Sequence, residues 1–175
     1  VLFRSALLTS NPAICRRPDG SYLLIYKCVG KKQPLPFGGP VVHLAATSRS
    51  PTGPFQKHPH PVFTARNDSF PAEDPYLWAQ DGRLWAIVKD MHGAFTSIRR
   101  STALFQSASG LDWELAPQPL VTKPEIAWET TGLEKLARLE RPQLWFAAGR
   151  PRVLYCAAMD QQGNTFNVAI PLFGQ

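Results

Sequence analysis

Acidic side chains stand next to prolines at two places where an apolar run begins. Glu73 and Asp74 directly precede Pro75, and Glu140 lies two residues before Pro142. Carboxylates held close together raise one another's pKa, which suits a general acid that works near neutral pH. If the fold brings these acids together, we therefore expect them to carry out acid–base chemistry.

The surroundings of these acids recur along the chain. Segments 11–28, 74–91 and 140–157 each contain a polar or acidic residue, a proline, a short apolar run, a glycine turn and a second apolar run. The prolines at positions 12, 75 and 142 recur about every 65 residues, a period that is typical of a β-propeller blade. The third unit begins near Glu140 in this alignment.

We therefore predict an all-β fold, a β-propeller, of which residues 1–175 form about three blades. A β-sandwich with accidental similarity between segments is the alternative. Asp19-Gly20 and Asp81-Gly82 predict two-residue hairpin turns. Segment 127–140 is a connection, with one helical turn expected around 133–139. Predicted strands cover 22–28, 41–48, 55–63, 84–90, 101–107, 113–116 and 166–173.

Composition limits the possible functions. The chain has 44% hydrophobic and 18% charged residues, as expected for a globular domain. Its net charge is +6, but the cations are scattered in pairs, so we predict no nucleic-acid partner. No apolar run reaches the length of a membrane span, so no membrane partner is predicted. Three cysteines without a CxxC pattern predict no zinc site, and a bridge between Cys15 and Cys28 is conceivable.

Other features of the sequence suggest a fragment. The chain starts with VLFRS rather than Met and ends just after an apolar strand. Residues 1–5 are interpreted as a possible non-native scar. The localisation is left open for the same reason. An isolated arc of blades would leave blade faces uncovered, so we expect the chain alone to aggregate.

In a propeller, the innermost strand of every blade starts near one mouth of the central channel. The residues before the three prolines would therefore converge there. Polar groups from separate blades that meet in a concave pocket form a default active-site hypothesis. The converging residues are Asn11, Glu73, Asp74, Glu140 and Arg141.

These motifs resemble the five-bladed propeller glycoside hydrolases of family 43 and their relatives. Asp74-Pro75 resembles the family's second catalytic Asp motif, and Glu140-Arg141-Pro142 resembles its general-acid motif. Segment 45–63, which contains SPTGPF, resembles an outer-strand phrase, and segment 107–114 resembles an outer hairpin. The likeness runs from residue 11 to about residue 160.

The resemblance implies inverting hydrolysis of a plant or algal oligosaccharide or polysaccharide. Glu140 would be the acid and Asp74 the residue that tunes it, whereas the catalytic base would lie upstream of this chain. No cofactor would be required, although calcium in the channel is possible. Segments 89–93 and 140–143 look closer to family 117, in which a histidine has been implicated, so His92 is a rival acid.

The remaining candidates would bind substrate. They are Asn11, Glu73, Lys89, His92, Arg141 and Trp128, and the tryptophan could stack on a sugar face. His43 lies in the middle of a predicted strand and is interpreted as a core or channel histidine. The alternative function is a non-catalytic carbohydrate-binding propeller, and a protein-binding propeller is a third possibility.

Overall fold

A computed structural model describes residues 6–32, 34 and 38–172, and these residues form β-strands, turns and loops. None of them forms a helix long and apolar enough to cross a bilayer. The first eight strands are β1 (Leu8–Arg16), β2 (Tyr22–Val29), β3 (Val41–Ser48), β4 (Gln56–Val62), β5 (Ala72–Gln80), β6 (Arg83–Asp90), β7 (Thr102–Ser107) and β8 (Glu114–Thr122). The remaining five are β9 (Glu125–Trp128), β10 (Gly132–Lys135), β11 (Arg138–Ala147), β12 (Arg150–Met159) and β13 (Thr165–Pro171).

The strands form three successive antiparallel meanders, as the repeat predicts. Strands β1–β4 make the first four-stranded sheet, β5–β8 make the second, and β11–β13 make a three-stranded third sheet. The hairpin β9–β10 lies between the second and third sheets in the chain. This is a partial β-propeller of about three blades, and each meander is one blade.

An Asp-Gly turn joins the first two strands of the second blade, as the sequence predicts. Asp81 and Gly82 both have positive φ, 52° and 73°, and join the paired residues Gln80 and Arg83 as a two-residue turn. The equivalent prediction for Asp19-Gly20 is wrong. There the ladder ends at Arg16–Tyr22, and the five residues 17–21 form the loop, closed by the Arg17 N–H donating to the Ser21 carbonyl at 2.7 Å.

Two apolar cores lie between neighbouring blades. Leu23 and Ile25 of β2 belong to the same buried cluster as Leu84 and Val88 of β6. Ile87, on the opposite face of β6, belongs to a second cluster with the third blade, which contributes Leu139, Leu154, Cys156, Ala158 and Val168. The middle strand of the second blade is therefore apolar on both faces because it has a blade on each side.

The outer faces of the first and third blades remain open in the described chain. Ile14 of β1 is 48% exposed, and Trp145 of β11 and Tyr155 of β12 are 54% and 45% exposed. Large side chains on an uncovered sheet face favour self-association. Aggregation of the isolated chain stays a prediction.

One further sequence prediction is wrong, and two other features differ from the possibilities that the sequence left open. The helical turn expected around 133–139 is absent, because Gly132–Lys135 pairs with β9 and Arg138 already begins β11. Cys15 and Cys28 are both free thiols. Strand β8 is longer than the predicted 113–116 and extends to Thr122, where its ladder with β7 contains irregularities.

Gly110 gives a direct test of the interface between the first two blades. A Cβ atom at Gly110 would lie 2.5 Å from Leu23 Cδ2 and 2.9 Å from Leu84 Cδ1, at a φ of +81°. We expect Gly110→Ala to destabilise the chain by about 2–4 kcal/mol through overpacking and backbone strain. Gly82→Ala is the matched control, because Gly82 has a φ of +73° but no atom within 4 Å of an added Cβ. Equal losses in chemical denaturation of the two variants would show that the blade contact contributes nothing.

Candidate active site

A β-bulge interrupts the inner strand of each blade at the residue before the proline. The ladders break between Ser10 and Ala13, between Glu73 and Tyr76, and between Glu140 and Gln143. The bulge residues have positive φ values, which are 48° for Asn11, 50° for Asp74 and 57° for Arg141. The structural equivalent of Asp74 in the third blade is thus Arg141, which also directly precedes its proline, rather than Glu140.

The three bulges converge, as the propeller hypothesis requires. Asn11, Asp74 and Arg141, each with its following proline, line one cavity of about 250 Å³. Bulges re-aim side chains that a regular pleat would point elsewhere. Asn and Asp tolerate the left-handed region better than most residues do, so the sequence favours this geometry in two of the three blades.

Three carboxylates meet beside this cavity. Oxygen atoms of Glu73, Asp74 and Glu140 all lie within 4.8 Å of one another. Asn11 of the first blade donates a hydrogen bond from Nδ2 to Asp74 Oδ1 of the second. Asp74 is 8% exposed, whereas the side chains of Glu73 and Glu140 are 20% and 15% exposed. Glu140 and Glu73, each two residues before its proline, are equivalent in their blades.

Each of two lysines reaches from one blade to the next. Lys27 of β2 places Nζ 2.8 Å from Glu73 Oε1. Lys89 of β6 donates from Nζ to Glu140 Oε2 and lies 3.9 Å from Glu73 Oε2. The two lysines are register equivalents, because Lys27 pairs with Ser10 and Lys89 pairs with Glu73. The equivalent position in the third blade is Ala157, opposite Glu140.

The surroundings shift the pKa values of Asp74 and Glu140 in opposite directions. Burial raises the pKa of Asp74, and the nearby Glu73 charge raises it further against the opposing effect of Lys89 and Arg141. For Glu140, burial acts to raise the pKa, but the hydrogen bond and charge of Lys89, with Arg138 and Arg141, outweigh it and lower the pKa overall. The arrangement therefore favours a proton on Asp74 and a charge on Glu140.

The cluster has the oxygen spacing of a cation site, but its charges are already compensated. The ammonium groups of Lys27 and Lys89 contact Glu73 and Glu140, and Arg138 lies 4.0 Å from Glu140 Oε1. Such a donor set suits acid–base chemistry better than cation binding. Calcium in the propeller channel stays a prediction, as does the expectation that no cofactor is required.

Two predicted site residues lie apart from the cluster. His92 Nδ1 is 3.0 Å from both carboxylate oxygens of Asp68, and its side chain is 45% exposed. It follows β6 at the cluster's end of the sheet, but its contact is with the connection between β4 and β5. Trp128 donates from Nε1 to Glu134 Oε2 at 2.6 Å and packs near Phe166. It lines a different cavity, beside β8 and β13.

Lys27 was not recognised in the sequence, although the repeat contains a signal for it. It follows Pro12 as Lys89 follows Pro75, with one extra residue in the intervening turn. Lysine near the end of an apolar middle strand is costly without a partner, and it occurs in two blades. His43, which pairs with Lys27 across the ladder, is 1% exposed, and burial lowers its pKa to about 4. It is neutral and buried, as expected of a core or channel histidine, but its Nε2 atom has no hydrogen-bond partner among the described residues.

Asp90 organises the loop that follows β6. Its carboxylate accepts hydrogen bonds from the backbone N–H groups of residues 93–96 and from the Thr96 hydroxyl, at 2.8–3.0 Å, and it is fully buried. We expect Asp90→Ala to destabilise the chain by about 2–4 kcal/mol, because several buried donors lose their acceptor. Asp160→Ala is the matched control. Asp160 accepts a similar set of hydrogen bonds in an exposed turn, where water can replace its carboxylate. The melting temperature of the Asp160→Ala variant should therefore hardly differ from that of the parent protein.

Comparisons with known proteins identify the fold. No family model and no curated protein matches the sequence. An α-L-arabinofuranosidase from Lactobacillus brevis superposes over 100% of this chain and 54% of its own, with 18% identity and a TM-score of 0.59. The chain has the fold of the β-propeller glycoside hydrolases.

Two further structures agree with this assignment. A family 117 glycoside hydrolase from Zobellia galactanivorans matches over 94% of this chain and 47% of its own, at 15% identity and a TM-score of 0.51. A protein of unknown function from Dyadobacter fermentans matches over 97% and 52%, at 16% identity and a TM-score of 0.62. The chain therefore spans about half the length of these propeller structures, and the family resemblance drawn from the motifs is confirmed at the level of the fold.

Proposed function

We propose that this chain carries the acid side of a glycoside hydrolase site. The observation that supports the proposal is the meeting of Asp74 and Glu140, from neighbouring blades, beside a cavity lined by Asn11 and Arg141. One carboxyl group is favoured in its neutral form and the other in its charged form. Such a divergence of pKa values within one pair is the usual sign of an acid–base assignment.

In the proposed reaction the pair shares one proton. Asp74 holds the proton in the free site, and Glu140 passes it to the oxygen of the leaving sugar as the glycosidic carbon–oxygen bond breaks. A water molecule forms the new bond to the anomeric carbon and loses its proton to a separate base. Coupled carboxylates titrate as a unit, so the pair, rather than one residue, supplies the acid.

An inverting mechanism requires a base outside this pair. An inverting acid and base stand about 6.5–9.5 Å apart, which leaves room for water. The closest oxygens of Asp74 and Glu140 lie within 4.8 Å, so these two residues are not that acid and base. The proposal assigns both to the acid, and it places the base in a part of the propeller outside the described cluster.

We propose an oligosaccharide from a plant or algal polysaccharide as the substrate. The likeness to an arabinofuranosidase and to a family 117 glycoside hydrolase supports a carbohydrate. Asn11 and Arg141 line the cavity and offer a donor amide and a cation to sugar hydroxyl groups. We assign substrate binding to these two residues.

A non-catalytic carbohydrate-binding propeller is the second candidate. The observation that favours it is the contact between Lys89 and Glu140, which occupies one oxygen of the proposed acid. A panel of nitrophenyl glycosides and plant and algal oligosaccharides separates the two functions in a protein that contains this chain. Release of sugar supports the hydrolase, whereas a sugar-dependent rise in melting temperature without release supports the binding module. Neither response would contradict both.

A further inference from the structure

Glu73 differs from the other two carboxylates because both of its oxygens face lysines. Lys27 Nζ lies 2.8 Å from Oε1, and Lys89 Nζ lies 3.9 Å from Oε2. Both cations belong to the protein, and only 20% of the Glu73 side chain is exposed. Direct substrate binding, which the sequence analysis assigned to Glu73, therefore fits the geometry less well than a role within the protein.

Lys89 stands between two carboxylates of different blades. It bonds to Glu140 and lies near Glu73, and only 5% of its side chain is exposed. An ammonium group in such a place has few alternatives to these two acceptors. The share of its charge that reaches Glu140 therefore depends on how strongly Glu73 attracts it, and this in turn depends on Lys27.

We propose that Glu73 is a positioning residue, held by Lys27, that sets the contact between Lys89 and Glu140 and thereby the position of the shared proton. The proposal rests on the proposed function for its catalytic meaning. It describes a row of alternating charges, Lys27–Glu73–Lys89–Glu140, that crosses three blades.

Strands β3, β5 and β11 place further titratable or charged groups around this row. Strand β5 contributes Asp74 beside Glu73, and β11 contributes Arg138 and Arg141 near Glu140. Strand β3 contributes His43, which is paired with Lys27 and is neutral near pH 7 because burial lowers its pKa to about 4. Among the contacts of the described residues, none of these groups lies between Lys89 and the carboxylates of Glu73 and Glu140.

The row predicts shifts of opposite sign for two substitutions. Glu73→Gln removes a competing acceptor, so Lys89 moves fully to Glu140, and the titration midpoints of Glu140 and Asp74 fall. Lys27→Met leaves the Glu73 charge uncompensated, so Lys89 is drawn toward Glu73, and both midpoints rise. The direct charge effects of the two substitutions have the same signs as the relay, so the size of the shift with and without Lys89 decides whether the effect passes through that lysine.

Carbon-13 NMR of labelled Asp and Glu carboxyl groups measures these midpoints directly. In a protein that contains this chain, the two signals are assigned by their loss in Glu140→Gln and Asp74→Asn. Glu114→Gln is the control, because Glu114 is 68% exposed and pairs loosely with Arg83 at 4.0 Å. Opposite shifts in the two variants support the proposal, whereas unchanged or parallel shifts overturn it.

A double substitution tests whether Glu73 acts through Lys89. In a Lys89→Met background, only the direct repulsion between Glu73 and Glu140 remains, because their oxygens lie within 4.8 Å of one another. Glu73→Gln should therefore lower the Glu140 midpoint by less than it does in the parent protein, and an equal or larger shift would overturn the relay. The outcome is separable from the proposed function. Opposite shifts in a protein that cleaves no glycoside would refute the hydrolase but keep the coupling, and absent shifts in an active hydrolase would refute the coupling alone.

Discussion

Replacing Glu140 with glutamine is expected to lower glycoside cleavage by about 10²–10⁴-fold, the usual contribution of a general acid. Glutamine keeps the shape of the side chain and its contact with Lys89 but cannot pass a proton. The loss should depend on the leaving group. A dinitrophenyl glycoside needs little protonation and should retain most of its rate, whereas an alkyl glycoside or an oligosaccharide should lose nearly all of it.

Glu114→Gln serves as the matched control for this measurement, because it removes the same charge from an exposed pair far from the cluster. Its kcat should equal that of the parent protein on every substrate. A uniform loss across leaving groups in Glu140→Gln would contradict the role of acid and would indicate a role in binding instead. Binding of the uncleaved oligosaccharide should be retained in Glu140→Gln, since only turnover is removed.

Asp74→Asn is expected to stabilise the chain at neutral pH while it lowers turnover. The pKa of Asp74 is raised in the folded chain, so the folded state disfavours the charged form. Its stability therefore falls as the pH rises from the unfolded pKa, near 3.9, through the folded pKa, and the penalty is complete above it. Asparagine removes the charge, accepts the left-handed backbone at a φ of 50°, and keeps the contact with Asn11.

Melting curves at several pH values test the sign of this effect. The variant should melt above the parent chain at pH 7, and the difference should vanish below about pH 4, where Asp74 is neutral in both states. Glu140→Gln should behave oppositely. The lowered pKa of Glu140 contributes stability above its unfolded pKa, and this contribution is lost as the pH falls through its folded pKa. A lower melting temperature for Asp74→Asn at pH 7 would contradict the raised pKa of Asp74 in the folded chain.

Much of the fold could be predicted from local signals that tertiary structure does not override. The apolar runs 22–28 and 84–90 became middle strands, and the run 84–90 buries both faces because its blade has a neighbouring blade on each side. The Asp81-Gly82 turn could be predicted because Asp and Gly accept the positive φ values that this turn requires at both positions. The prediction for the segment around 133–139 was wrong, since its apolar spacing fits a helical turn. Its first residues instead pair with β9, and this pairing could not be read from the local sequence.

The site was predicted in part for a similar reason. Proline recurs in the inner strand of each blade, so the convergence of Asn11, Asp74 and Arg141 could be expected from the repeat. The equivalence of Glu140 and Glu73 follows from the sequence too, because each lies two residues before its proline. The lysine contacts required the structure, since each joins the middle strand of one blade to the inner strand of the next.

Time-resolved proton NMR of oligosaccharide cleavage by a protein that contains this chain tests the central claim most directly. It reports turnover and the configuration of the first product in one experiment. The account predicts a new anomeric signal of inverted configuration, which is lost when Glu140 is glutamine. A product of retained configuration, or an equal rate in the Glu140→Gln variant, would contradict it.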